Sequence, residues 1–221
     1  MIADKRTYLL EEAKELHKLW PDNRTFNIVC HGHSIPCGYM AENVTKPFNA
    51  YPHLLHEKIS DRFPHSVVNV IVTAIGGENA VSGAARFEKD VLKFDPDLIT
   101  IDYGRNDMFL TEEEMRNAWE QMVQKAQERG IKVILITPAA DSGAIYYEEE
   151  KRKLSDERMA EIIKEVAEKY GTGLADAEGA FERLFQNGHT RSEYASGVNH
   201  PNRKGHEVIA ECLAEWFPYC L

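Results

Sequence analysis

Four short runs of apolar, largely β-branched residues recur along the chain: FNIVCH at 26–31, VVNVIVT at 67–73, LITIDY at 98–103 and KVILIT at 132–137. Each is closed by glycine, proline or a polar cluster, the punctuation of strands covered on both faces of a parallel sheet. A weaker fifth run lies at 172–175. Between them, apolar residues fall at helical spacing over 50–62, 80–93, 112–129 and 154–170, and again from about 202 to 216. Thr111 and Glu114 have capping-box spacing, and Gly171 stops the helix that precedes it. Near the start, Leu9, Leu10, Ala13, Leu16 and Leu19 or Trp20 recur among charged residues. That pattern is an amphipathic helix, not the apolar core of a signal peptide.

Strands alternating with helices predict an α/β fold, a three-layer α/β/α sandwich around a parallel five-stranded sheet. Right-handed crossovers leave few topologies, and the flavodoxin-like strand order 2-1-3-4-5 is the expected one. No repeat, low-complexity tract or linker interrupts the pattern, so residues 1–221 read as a single domain.

Composition narrows the partners. With 43% hydrophobic and 28% charged residues, the chain has a globular profile. A net charge of −10 without a basic patch excludes nucleic acid as the expected partner. No run of about 18 apolar residues offers a membrane span. Without an export signal, Cys30, Cys37, Cys212 and Cys220 are expected as reduced thiols in a cytoplasmic protein. Cys30 reads as a buried thiol, and a Cys212–Cys220 contact stays open. Oligomeric state is open too: the apolar faces of 50–62 and 80–93 could support a dimer, but packing on the sheet accounts for them.

In open α/β sheets ligands bind beyond the carboxyl ends of the strands, where strand order reverses. In the 2-1-3 order this gathers three loops: His31-Gly32-His33-Ser34, Ala74-Ile75-Gly76-Gly77-Glu78-Asn79 and Gly104-Arg105-Asn106-Asp107. A serine hydroxyl is a weak nucleophile and needs a base. The oxyanion formed on a carbonyl needs fixed donors. The backbone N–H groups of Ser34 and Gly77 and the amide of Asn106 can supply three. The tail offers the base, His200, on a loop fixed by Pro201 before Asn202, a candidate helix cap.

These four blocks resemble the SGNH hydrolase superfamily, the GDSL-like esterases, in order and spacing from Phe26 to the last helix. Gly32-His33-Ser34 stands where the family has Gly-Asp-Ser, and Gly77 stands at its oxyanion glycine. Gly104-Arg105-Asn106-Asp107 matches Gly-x-Asn-Asp, and His200-Pro201-Asn202 with Gly205-His206 matches His-Pro-Asn-x-x-Gly-His. The resemblance implies a serine esterase (acylhydrolase) with Ser34 as nucleophile, His200 as base, and Ser34, Gly77 and Asn106 as the oxyanion hole. It implies no metal or other cofactor, and a small-molecule ester as substrate, with acetylated carbohydrate the expected class; the sequence shows no lid insertion or long apolar groove, so a short acyl group is expected over a lipid. Two positions depart from the pattern. His33 replaces the aspartate before the serine, and the aspartate expected three residues before the histidine is Gly197, or Ser196 if Asn199 is an insertion. Either Ser34 and His200 work as a dyad, or a carboxylate such as Glu193, Asp141 or Asp176 substitutes.

Duller roles are expected for several neighbours. Asp107 and His206 read as structural, and Tyr39, Phe48, Tyr51 and Tyr103 as core rather than pocket lining. Two rival functions remain. His31 and His33, with Asp102, Asn106, Asp107, His200 and His206, could form a metal-dependent phosphoesterase site. A non-catalytic ligand-binding protein could also use the same scaffold.

Overall fold

The computed structural model describes residues 1–41, 44–140, 142, 151–197 and 199–219. Its sheet has five parallel strands, β1 (Thr25–Gly32), β2 (Val67–Val72), β3 (Leu98–Asp102), β4 (Lys132–Ile136) and β5 (Gly173–Ala175), in the expected order 2-1-3-4-5. Eight α-helices accompany it among the described residues: α1 (Leu10–Leu16), α2 (Ser34–Cys37), α3 (Tyr51–Arg62), α4 (Ala80–Asp90), α5 (Glu112–Gln127), α6 (Asp156–Tyr170), α7 (Ala177–Gln186) and α8 (Arg203–Ala214). A two-stranded antiparallel ribbon, β6 (Ala195–Ser196) with β7 (His200–Pro201), precedes α8.

The period of two along each strand divides the core into two layers. Val29, Ile99, Ile101, Val133 and Leu135 pack with Phe87, Trp119, Met122 and Ile163 of α4, α5 and α6 on one face. Phe26, Ile28, Cys30, Leu98, Ile134 and Ile136 pack on the other against Leu16, Leu55, Phe181 and Leu213 of α1, α3, α7 and α8. Both faces are therefore covered, which explains why the central strands are largely apolar and do not alternate regularly with polar residues.

Helix ends follow local chemistry. Thr111 and Glu114 form the capping box at α5, and Gly171 ends α6 in the left-handed region at φ 63°. Ser155 caps α6, so the helix begins later than the apolar pattern suggested, and α4 stops at Asp90 before a 3-10 turn at Leu92–Phe94. Helix α7 and the β6–β7 ribbon are additions to the sequence reading. Among the four aromatics expected in the core, Tyr51 and Tyr103 are fully buried, Tyr39 is half-buried and Phe48 is 71% exposed. Phe48 corrects that expectation: it follows Pro47 in a short surface turn at Pro47–Asn49, which leaves its ring against His53 instead of the sheet. Cys30 is a buried free thiol, and burial pushes its pKa up to about 12. Cys220 and Asp141 lie outside the described residues.

Candidate active site

Strand β1 ends against β3, with Gly32 paired to Asp102 and the His33 N–H donating to the Asp102 carbonyl at 3.2 Å. A β-carbon on Gly32 would stand 2.4 Å from that carbonyl oxygen and 2.9 Å from Pro36, so only glycine permits the approach. The chain then turns directly into α2, whose first residue is Ser34. His33 caps that helix: its Nδ1 accepts the Ile35 N–H at 3.4 Å. An aspartate at this place caps in the same way, so the imidazole takes over a carboxylate's local task.

The second loop is tied to the first and the third. Ile75 N–H donates to Gly32 O at 3.1 Å, and Cys37 Sγ lies 3.2 Å from Ala74 O. Gly77 turns at φ 83°, and the Asn106 amide donates to Glu78 O at 2.8 Å. Behind this turn the Glu78 carboxylate accepts from Arg86 Nε at 2.9 and 3.0 Å and from Tyr103 OH at 3.3 Å. One hydrogen of the Asn106 amide is thereby committed and the other is left to donate. The N–H groups of Ser34 and Gly77 donate to no acceptor among the described residues. Asp107, expected to be structural, is: its two oxygens accept the Ala80 N–H and the Trp119 indole N–H, each at 2.7 Å.

His200 arrives from the other end of the chain. The β6–β7 ribbon and Asn202, which caps α8 through Gly205 N–H at 3.1 Å, hold its backbone. Its Nε2 stands 2.9 Å from Ser34 Oγ, and the Tyr39 ring lies nearly parallel to it at 25°. Burial lowers the His200 pKa to about 4, with the Arg105 guanidinium adding to the effect. The imidazole is thus neutral, and free to accept a proton, throughout the neutral range. His206 is structural as expected: buried, it accepts the Tyr51 N–H on Nδ1 at 3.2 Å.

None of the three carboxylates considered from the sequence is placed by a described contact on His200. Glu193 caps its own turn, accepting from Thr190 N–H at 2.8 Å and lying 3.3 Å from His189. Asp176 caps α7 through Gly179 N–H and accepts from Thr137 Oγ1. Asp141 lies outside the described residues. Where the aspartate was expected, Ser196 accepts the Ala41 N–H at 3.0 Å, and Gly197 is left-handed at φ 71°. Sequence reasoning missed another pair. His33, 1% exposed, directs Nε2 toward Asp102 Oδ1 at 3.6 Å and has Nδ1 3.3 Å from Ser34 Oγ. Its signal was visible only as an unusual residue before the serine.

The histidines of His31-Gly32-His33 do not converge as metal ligands. His31 places Nδ1 at 3.0 Å from Thr73 Oγ1 and Nε2 at 3.2 Å from Gly83 O, while Tyr103 OH lies 3.1 Å from the same Nε2. Burial, with Arg86 adding, lowers its pKa to about 3, the state of a neutral core histidine. Among the described residues no group of three or more His, Cys, Asp and Glu side chains is arranged to hold a metal ion. No helix of the described residues is long and apolar enough to cross a membrane.

The model of the GDSL-like lipase/acylhydrolase family matches residues 30–208. Among solved structures, a protein described as a GDSL-like lipase from Parabacteroides merdae is 18% identical with a TM-score of 0.75, over 87% of this chain and 95% of that one. LAE5, an α/β hydrolase enzyme from the metagenome of Lake Arreo, Spain, is 24% identical with a TM-score of 0.72, over 88% and 97% of the two chains. Axe2, an acetylxylan esterase from Geobacillus stearothermophilus, is 19% identical with a TM-score of 0.73, over 88% and 95%. These likenesses are of fold. No curated protein matches the chain.

Proposed function

The chain belongs to the GDSL-like lipase/acylhydrolase family and is a carboxylic ester hydrolase, and we propose that Ser34 is its nucleophile, His200 its base and a short acyl ester its substrate. The observation that carries this reading is the 2.9 Å approach of His200 Nε2 to Ser34 Oγ. That is proton-transfer distance for a general base.

In the proposed cycle the Ser34 proton passes to His200 Nε2 as Oγ bonds to the ester carbonyl carbon. The carbonyl oxygen takes the displaced electron pair and lies between the N–H groups of Ser34 and Gly77 and the uncommitted N–H of Asn106. Collapse breaks the bond to the alcohol oxygen, which leaves with the proton from His200. Water then attacks the acyl-enzyme, gives its proton to His200, and the acid departs as Ser34 recovers its hydrogen. The three donors come from three loops already tied to one another, so little reorganisation is needed as charge develops.

Acetyl groups on carbohydrates are the proposed substrate class, a reading supported by fold likeness to an acetylxylan esterase. The test has two parts. A fluorophosphonate probe is expected to label the protein once, at Ser34, and labelling should vanish in Ser34→Ala. Nitrophenyl esters of increasing acyl length, run beside acetylated xylooligosaccharides, should show fastest turnover with acetyl. A folded protein that never labels overturns the nucleophile; a preference for long chains overturns the substrate class.

A further inference from the structure

We propose that Asp102 and His33 form the carboxylate–imidazole couple of this site, and that the couple acts on the nucleophile Ser34 rather than on the base His200. The role is positioning: Asp102 fixes the tautomer of His33, and His33 holds the Ser34 oxygen in place for His200. The inference rests on the reading of Ser34 as nucleophile given above.

The tautomer follows from hydrogen-bond chemistry. The Ile35 N–H can only donate, and it is directed at His33 Nδ1, 3.4 Å away. Nδ1 therefore carries a lone pair, and the proton of the neutral ring sits on Nε2. That nitrogen faces Asp102 Oδ1 at 3.6 Å. Both side chains are shut off from solvent, at 1% and 2% exposure. His33 Nε2 and the second oxygen of Asp102 have no hydrogen-bond partner among the described residues. A carboxylate in such a place is costly unless a partner compensates it, and the imidazole N–H is the group that faces it.

The couple is built into the backbone. Gly32 and Asp102 are register partners at the ends of β1 and β3, and the missing side chain of Gly32 is what brings the two strand ends together. Asp102 is also a charge its neighbours feel: burial raises the pKa values of Cys30 and Tyr51, and the Asp102 carboxylate raises them further. Ser34 Oγ thus has two imidazole nitrogens within reach, Nε2 of His200 at 2.9 Å and Nδ1 of His33 at 3.3 Å. The single lone pair of Nδ1 is already engaged by the Ile35 N–H, so it competes weakly for the hydroxyl hydrogen, which is left to His200 Nε2 while the ring limits where the oxygen can sit. With the opposite tautomer, Nδ1–H would face the Ile35 N–H, donor against donor. The cap of α2 would open and the serine would move with it.

The test uses the intact protein and three variants, Asp102→Asn, His33→Asn and the double variant. Nitrogen-15 histidine spectra of the wild type should show His33 protonated at Nε2 only, with its resonances shifted in Asp102→Asn. Each single variant should lower the rate of fluorophosphonate labelling and the kcat for nitrophenyl acetate by about 10- to 100-fold, the scale of a nucleophile displaced by an ångström or less. KM should stay within about twofold. The double variant should lose no more than the worse single variant, because the two residues act as one unit. Circular dichroism checks that each variant is folded; if Asp102→Asn is not, the spectra of the wild type and of His33→Asn still decide. Protonation of His33 at Nδ1, wild-type labelling in folded Asp102→Asn, or additive losses in the double variant would overturn the couple. Absence of labelling in the wild type overturns the nucleophile instead, so the two failures are distinguishable.

Discussion

Gly197 lies against Ala41 so closely that a β-carbon on the glycine would stand 3.1 Å from the alanine methyl. The same residue has φ 71°, a conformation that costs other residues about 1–2 kcal/mol. This is the place where the family pattern expects an aspartate. Restoring it in Gly197→Asp is therefore expected to lower stability by about that amount and bring no gain in kcat. Thermal unfolding and nitrophenyl acetate kinetics measure both; a rise in kcat would show that this backbone accepts a family-type carboxylate.

Acid inactivation should come late. As the proposed base His200 acts only when neutral, and burial places its pKa at about 4 instead of 6.5. As pH falls, kcat/KM is expected to hold through pH 5 and drop as it passes about 4. An acid limb near 6.5 would mean that the ring is better solvated, or better compensated, than its surroundings indicate.

Removing the Asn106 amide should slow chemistry far more than binding. Asn106→Ala deletes one of the three proposed oxyanion donors and releases the carbonyl of Glu78 that the side chain holds at 2.8 Å. We expect kcat to fall by about 10²–10³ with KM little changed. Steady-state kinetics with a short acyl ester decide, and unchanged kcat would remove Asn106 from the oxyanion site.

Stability should decline on acidification before any catalytic loss. His31 and His206 are buried neutral, with burial lowering each pKa from 6.5 to about 3. Between those values the unfolded chain binds protons that the folded chain refuses, so stability is lost as pH falls below 6.5, at about 1.4 kcal/mol per pH unit for each histidine at most. Asp107 opposes this: burial raises its pKa from 3.8 to about 7, so between those values the folded state holds the extra proton. Two buried histidines, joined by His200, outweigh one carboxylate. Scanning calorimetry from pH 7 to 4.5 should show Tm falling, with a shallower slope in His206→Gln. A flat Tm would mean these rings ionise in place.

The sheet was legible because β-branched runs such as VVNVIV and KVILI are short, apolar and bounded by turn residues. The meeting of Ser34 with His200 was legible because each lies in a block whose neighbours are diagnostic in themselves. What escaped depends on register. That Asp102 sits beside His33 follows from Gly32 pairing with it across two strands, and periodicity within a strand carries no such information. The β6–β7 ribbon, two residues to a strand, is too short for any period to show. Helix α7 is short, ten residues with Ala177 and Phe181 buried, so its helical period has fewer than three turns in which to show between the weakest strand and the histidine loop. Phe48 failed as a core residue because hydrophobicity is a one-way guide: apolar side chains fill cores, but not every one is inside.

Ser34 and His200, the proposed nucleophile and base, are separated by 166 positions, and His200 is held by the ribbon and by α8, which packs its Ile209 and Leu213 in the same core as Leu55 of α3. During translation, then, Ser34 and its three-loop surroundings emerge long before the His200 imidazole can reach them. A ribosome-bound chain ending at β5 holds a complete sheet and lacks His200, the proposed base. On this reading, hydrolytic competence waits for His200 and α8 to dock, and chains that end before His200 are expected to be inactive.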